Sequence, residues 1–153
     1  MASSASLYTG IIVEGSRDKA HEGAPDSGKY QEGTGVNPVC GDKITWYVRL
    51  DQEKKVIREA KFTSAGCMIS RASAGLLAEM VQGKSADEFL ERYRELKKAT
   101  DIKESAPEIG EETLQGKKWL ALVQIRGYPA RRKCAMLAWD TLAEVVLNSL
   151  ATN

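Results

Sequence analysis

Apolar and polar residues alternate most clearly along Ile44-Thr45-Trp46-Tyr47-Val48-Arg49-Leu50. Ile44, Trp46, Val48 and Leu50 share one face, the pattern of a half-buried β-strand. Asp51-Gln52-Glu53-Lys54 reads as a turn, and Lys55 to Ser64, with Val56, Ile57, Ala60 and Phe62, as the antiparallel partner. From Cys67 the period becomes helical through Met80 or Val81, and Gly83 closes the helix. Ser85 followed by Glu88 has the form of a capping box. It predicts a second helix to about Lys98, with Phe89, Tyr93 and Leu96 facing inward. Residues 99–110 are a polar connector. Glu111 to Gln115 and Lys117 to Gln124 read as two short helices, and Gly127-Tyr128-Pro129 breaks the chain. Residues 133–150 form a last helix with Met136, Leu137, Leu142, Val145, Val146 and Leu150 apolar.

The N-terminal third is less regular. Leu7, Ile11, Ile12 and Val13 predict a short helix within 6–18. Residues 19–38, with Gly23, Pro25, Gly28, Gly33, Gly35 and Pro38, read as a loop that could include a short strand. The expected fold class is α+β: a small antiparallel sheet of about three strands with helices on one face, in a single domain over 1–153.

Composition narrows the function. At 42% apolar and 28% charged, the chain is ordinary for a globular protein. A net charge of +1 makes no case for a nucleic-acid or membrane-surface role. No apolar run nears the ~20 residues of a spanning helix, and Met1 to Ser6 lacks the pattern of a secretory signal. Three cysteines, an odd and low number, fit a reducing compartment, and we expect a cytoplasmic protein.

The three cysteines lie in unlike settings: Asn37-Pro38-Val39-Cys40-Gly41-Asp42, Gly66-Cys67-Met68-Ile69-Ser70 and Ala130-Arg131-Arg132-Lys133-Cys134-Ala135. No two make a Cys-x-x-Cys redox pair. Cys40 and Asp42 precede the first clear strand, whereas Cys67 and Cys134 are expected in first helical turns, where the helix dipole favours a thiolate. Gly41 lets the backbone bend so that Cys40 and Asp42 face one ion. Three thiolates and a carboxylate would complete the four-coordinate shell zinc prefers, with Asp42 the harder, weaker ligand. Arg131, Arg132 and Lys133 would offset its negative charge. The plainer alternative is three unrelated buried thiols, because Cys also packs as a small hydrophobe. His21 reads as a solvated loop residue, Trp46, Trp119 and Trp139 as packing, and Ser70 and Ser73 lack a basic partner for nucleophilic chemistry.

Across roughly residues 36–148 the chain resembles the SufU branch of the IscU/NifU-type iron–sulfur cluster assembly proteins. The resemblance rests on the three cysteine segments, on Ala60-Lys61-Phe62, on Leu114-Gln115-Gly116 and on Leu137-Ala138-Trp139. Lys133 stands where the IscU branch usually has His, and the long segment 83–128 resembles the SufU-type insertion. Gly127-Tyr128-Pro129-Ala130-Arg131 replaces that branch's chaperone-binding Leu-Pro-Pro-Val-Lys motif. After Leu7-Tyr8, Val13 to Lys19 departs from the Asp-His-Tyr and Asn-Pro-Arg-Asn stretch common in the family.

The resemblance implies a Zn2+ site of Cys40, Asp42, Cys67 and Cys134. It also implies catalytic roles for Cys40, as the thiol that leaves zinc to accept persulfide sulfur, and for Arg131, which assists. The implied partner is a SufS-type cysteine desulfurase, with a downstream cluster-assembly complex beyond it and no nucleic acid or membrane. The expected function is therefore that of a zinc-dependent sulfurtransferase. The alternatives are a scaffold that builds an iron–sulfur cluster on the same cysteines, and a binding module with structural zinc. Lys133 and the insertion favour the relay.

Overall fold

The computed structural model describes residues 2–17, 20–26, 28–101, 103 and 113–151. In chain order the elements are α1 (Ala2–Arg17), β1 (Gln31–Asn37), β2 (Asp42–Asp51), β3 (Val56–Ala65), α2 (Met68–Val81), α3 (Ala86–Ala99), α4 (Leu114–Val123), a 3-10 turn (Gln124–Gly127) and α5 (Pro129–Ala151). The class is α+β, and the three strands form an antiparallel sheet in the order β1-β2-β3. In register, Asn37 faces Asp42, Gly35 faces Ile44 and Gly33 faces Trp46, while Trp46 faces Phe62 on the other side.

The alternation read from β2 is the one observed. Ile44, Trp46 and Val48 are fully buried, whereas Lys43 and Arg49 are exposed. Helices α2 and α5 cover the apolar face, and three polar ties lock them to each other and to the sheet. Trp46 Nε1 donates to the Ala138 carbonyl (3.0 Å), Trp139 Nε1 donates to Ser73 Oγ (3.1 Å), and Ser73 Oγ donates to the Ala135 carbonyl (2.6 Å). Trp46, Trp139 and Ser73 are thus each paired, which offsets the desolvation penalty their polar atoms would otherwise carry. These bonds also hold the N-terminal end of α2 beside that of α5, where two of the thiols lie. Helix α1 packs on α2 through small residues: a Cβ at Gly75 would lie 2.9 Å from the Gly15 carbonyl oxygen.

Four readings are sharpened or change. The span read as a loop that could include a short strand contains one, β1, seven residues long. Gly33 and Gly35 weaken its strand signal, yet they are what lets α5 pack on it. A Cβ at Gly35 would collide with Thr141 Oγ1 and come within 3.2 Å of Leu137 Cδ1. Replacing Gly35 by alanine should therefore lower stability by about 1–3 kcal/mol, as overpacking does. An unchanged midpoint in urea would show that α5 is free to shift.

Second, the two short helices expected between 111 and 124 are one, α4, capped by Thr113, whose Oγ1 accepts from Gly116 N (3.0 Å). Glu111 and most of the 99–110 connector lie outside the described residues. Third, α1 begins at Ala2, ahead of its expected start.

Fourth, α5 begins at Pro129, four residues before its expected start. Proline's fixed φ suits the first helical position, so the residue read as a break also starts the helix. After Lys133 its only charged residues are Asp140 and Glu144. By length and composition α5 could cross a membrane, contrary to the expectation from apolar runs, but 67% of the qualifying stretch is buried and it forms the core of this fold.

Candidate functional site

The end of the sheet where β1 turns into β2 meets the starts of α2 and α5. Asn37 closes β1, residues 38–41 form the turn, and Asp42 opens β2. Gly41 has φ +71, the left-handed region that favours glycine. Cys40 is exposed on this turn, whereas Asp42 is 1% exposed. Cys67 caps α2: its Sγ accepts from Ser70 N at 3.5 Å.

Cys134 does not open α5. Counting from Pro129 it lies past the first turn, fully buried. The positive end of the helix is thus spent near Arg131, not at this thiol. Burial is the largest influence on Cys134, followed by hydrogen bonds with Cys40, Asp42 and Cys67, and together they push its thiol well above the ordinary range. The expected thiolate-favouring helix start therefore fails at Cys134.

The side chains nonetheless converge. Cys134 Sγ lies 3.5 Å from Cys40 Sγ, and ligand atoms of Cys40, Asp42 and Cys134 all lie within 4.8 Å of one another. Cys67 Sγ borders the same group, 3.9 Å from Asp42 Oδ2, while Asp42 Oδ1 accepts from Cys67 N at 2.8 Å. One carboxylate oxygen thus anchors the start of α2, and the other faces the thiols. Arg131, exposed at the start of α5, faces the cluster too. A hydrogen bond to Cys134, reinforced by any negative charge that develops on the neighbouring thiols, holds its guanidinium more firmly protonated.

This donor set suits a soft divalent ion. A tetrahedral zinc with Zn–S of about 2.3 Å holds its sulfurs about 3.8 Å apart, close to the 3.5 Å between the Cys40 and Cys134 sulfurs. A thiol buried beside a carboxylate resists ionising on its own, and a bound cation inverts that preference. Cys40, Asp42, Cys67 and Cys134 are therefore the residues that could hold a metal.

Two contributions escaped sequence reasoning. Asn37, nearly buried, points its Nδ2 at Cys134 Sγ (3.9 Å), a donor aimed at sulfur. Gly66, at φ +149, lies so close to Asp42 that a Cβ there would sit 2.9 Å from the Asp42 Cα. Both residues stand inside the cysteine segments themselves, and that placement was the available signal.

Comparison with known proteins follows the same lines. The family model described as the NifU-like N-terminal domain matches residues 7–151. An iron–sulfur cluster assembly scaffold protein IscU from Thermotoga maritima is 36% identical over 142 residues, covering 92% of each chain. A zinc-dependent sulfurtransferase SufU from Bacillus subtilis is 34% identical over 113 residues, covering 72% of this chain and 70% of its own. Among solved structures, an iron–sulfur cluster assembly scaffold protein for the SUF system from Fervidobacterium islandicum superposes with a TM-score of 0.74 at 29% identity, covering 92% of this chain and 97% of its own.

Proposed function

Because the chain belongs to the NifU-like N-terminal domain family of iron–sulfur cluster assembly proteins, we propose that it is a zinc-dependent sulfur acceptor. In this reading it takes persulfide sulfur from a SufS-type cysteine desulfurase in the cytoplasm and hands it to a downstream cluster-assembly complex. The observation that carries this reading is the asymmetry of the cluster: Cys40 is exposed, whereas Cys67 is half-buried and Cys134 and Asp42 are buried. A thiol that must meet another protein's sulfur needs that exposure, and the sheltered donors can hold an ion while it moves.

Cys40, Asp42, Cys67 and Cys134 would hold the zinc. A zinc ion bound there keeps its thiol ligands deprotonated at neutral pH. The Cys40 thiolate attacks the outer sulfur of the donor's persulfide. A sulfur–sulfur bond forms at Cys40 Sγ, the donor's own sulfur–sulfur bond breaks, and the donor cysteine leaves as a thiolate that takes up a proton. Arg131 stabilises the resulting anionic persulfide by a charge-assisted contact. Gly41 gives the turn the freedom to bring Cys40 outward.

A second reading, a scaffold that carries an iron–sulfur cluster as cargo on the same thiols, draws support from the Thermotoga relative's name and its 92% coverage. Thiolates suit either use. Anaerobic purification separates the two. We expect about one zinc per chain, the number a single four-ligand site holds, and no visible absorbance. A brown protein with iron and acid-labile sulfide in place of zinc would overturn the acceptor reading in favour of the scaffold.

A further inference from the structure

The surface around the cluster differs from the rest of the molecule in two independent ways. The first is apolar exposure. Among the described residues the exposed large hydrophobics are Val36, Val39, Met68, Tyr128 and Leu147. All but Leu147 adjoin the site. Val39 precedes Cys40, Met68 follows Cys67, and Val36 precedes Asn37 and pairs in register with Lys43. The Tyr128 carbonyl accepts from Arg131 N at 2.8 Å. Val39 is 84% exposed and Tyr128 55%, an arrangement with no role in the core. Apolar exposure gathered in one place and rimmed by charge marks an interaction site.

The second is charge. The segments 36–43, 65–71 and 127–133 together hold five Lys and Arg against one Asp, the buried Asp42. The remainder of the chain holds seventeen Lys and Arg against twenty Asp and Glu. A nearly neutral protein thus turns a cationic side toward whatever approaches its thiols. Lys43, Arg131 and Lys133 are exposed there, whereas Arg132 turns back to Thr100 Oγ1 (3.1 Å) and the Lys97 carbonyl (2.7 Å) on α3.

We propose that Val36, Val39, Met68 and Tyr128, rimmed by Lys43, Arg131 and Lys133, form the docking face for the sulfur-donor protein, whose matching surface is apolar at its centre and acidic at its edge. This rests on the acceptor reading, because sulfur exchange requires the donor cysteine to touch Cys40, and Val39 stands beside it. A second copy of this chain is the poorer occupant, since a two-fold contact would set one cationic face against another. A nucleic acid would match the charge and leave four apolar side chains without purpose.

The test uses the full chain and a SufS-type cysteine desulfurase, with Val39→Asp and Lys43→Glu as variants. Both residues are exposed and neither is a thiol or Asp42. Each variant should weaken desulfurase binding in calorimetry by at least about tenfold, the scale on which charge and apolar complementarity act. Binding by the wild-type chain should weaken with added salt. Thermal midpoint, zinc content and sulfur uptake by Cys40 from a small-molecule persulfide should stay at wild-type values. Wild-type desulfurase affinity in both variants would overturn the docking face while leaving the acceptor reading intact. A wild-type chain that takes sulfur on Cys40 from neither donor would overturn the acceptor reading itself. Salt-insensitive binding, or a variant-sensitive self-association in sedimentation in place of desulfurase binding, would overturn the stated partner.

Discussion

Replacing Cys40 by serine should abolish sulfur uptake while leaving the fold in place. After anaerobic incubation with a cysteine desulfurase and free cysteine, the wild-type chain should gain one sulfur atom on the peptide containing Cys40, and the variant none. Two features make this effect large and selective. Cys40 is the exposed thiol of the three, on a turn that contributes nothing to the buried core. A serine hydroxyl at that position is not ionised near neutral pH and does not form a persulfide, so the loss is in chemistry and not in packing. Surface substitutions of this kind usually change stability by no more than about 0.5 kcal/mol, so the thermal midpoint of the metal-free chain should hardly move. Sulfur found on Cys67 or Cys134, with Cys40 unmodified, would reassign the acceptor.

Much of this site could be read from the residues because its chemistry is carried by side chains in short segments. Cys40 and Asp42 flank a glycine, and Cys40 lies on the expected turn while Asp42 is already the first residue of β2. The β2 alternation and the Ser85 cap were equally legible, because each depends on neighbours within one element: Ser85 Oγ accepts from Glu88 N at 3.1 Å. What was not legible depends on tertiary contact. The place and length of β1 are hidden by its glycines until α5 is set beside Gly33 and Gly35. Cys134 looked like a helix start because its basic neighbours hid a helix already begun at Pro129, and its burial comes from elements distant in sequence. Asn37 shows as a motif residue in the chain and as a donor to sulfur only when Cys134, 97 residues later, is brought against it.

The Gly66→Ala substitution should remove the metal and destabilise the fold together. Gly66 joins β3 to Cys67 at φ +149, where an L side chain is strained whatever room it has. Here there is also no room. The added methyl would collide with Asp42 Oδ1 and lie 2.9 Å from the Asp42 Cα. The Oδ1 atom is the one that accepts from Cys67 N, so the clash falls on the bond that ties the sheet to the start of α2. The carboxylate cannot simply rotate away, because Asp42 is buried and its other oxygen faces the Cys67 thiol. Backbone strain of about 1–3 kcal/mol would add to the loss of a buried hydrogen bond to a charged acceptor, about 1.5–3 kcal/mol. The expected result is a metal-free chain about 2.5–6 kcal/mol less stable than wild type in urea, with zinc competed away at far lower chelator concentration. The second measurement separates the site from the scaffold, since the Gly35→Ala variant should lose stability through β1 and α5 yet keep its zinc. Full zinc retention by Gly66→Ala at wild-type chelator midpoint would mean that Asp42 is not a ligand, and that the thiols alone hold the ion.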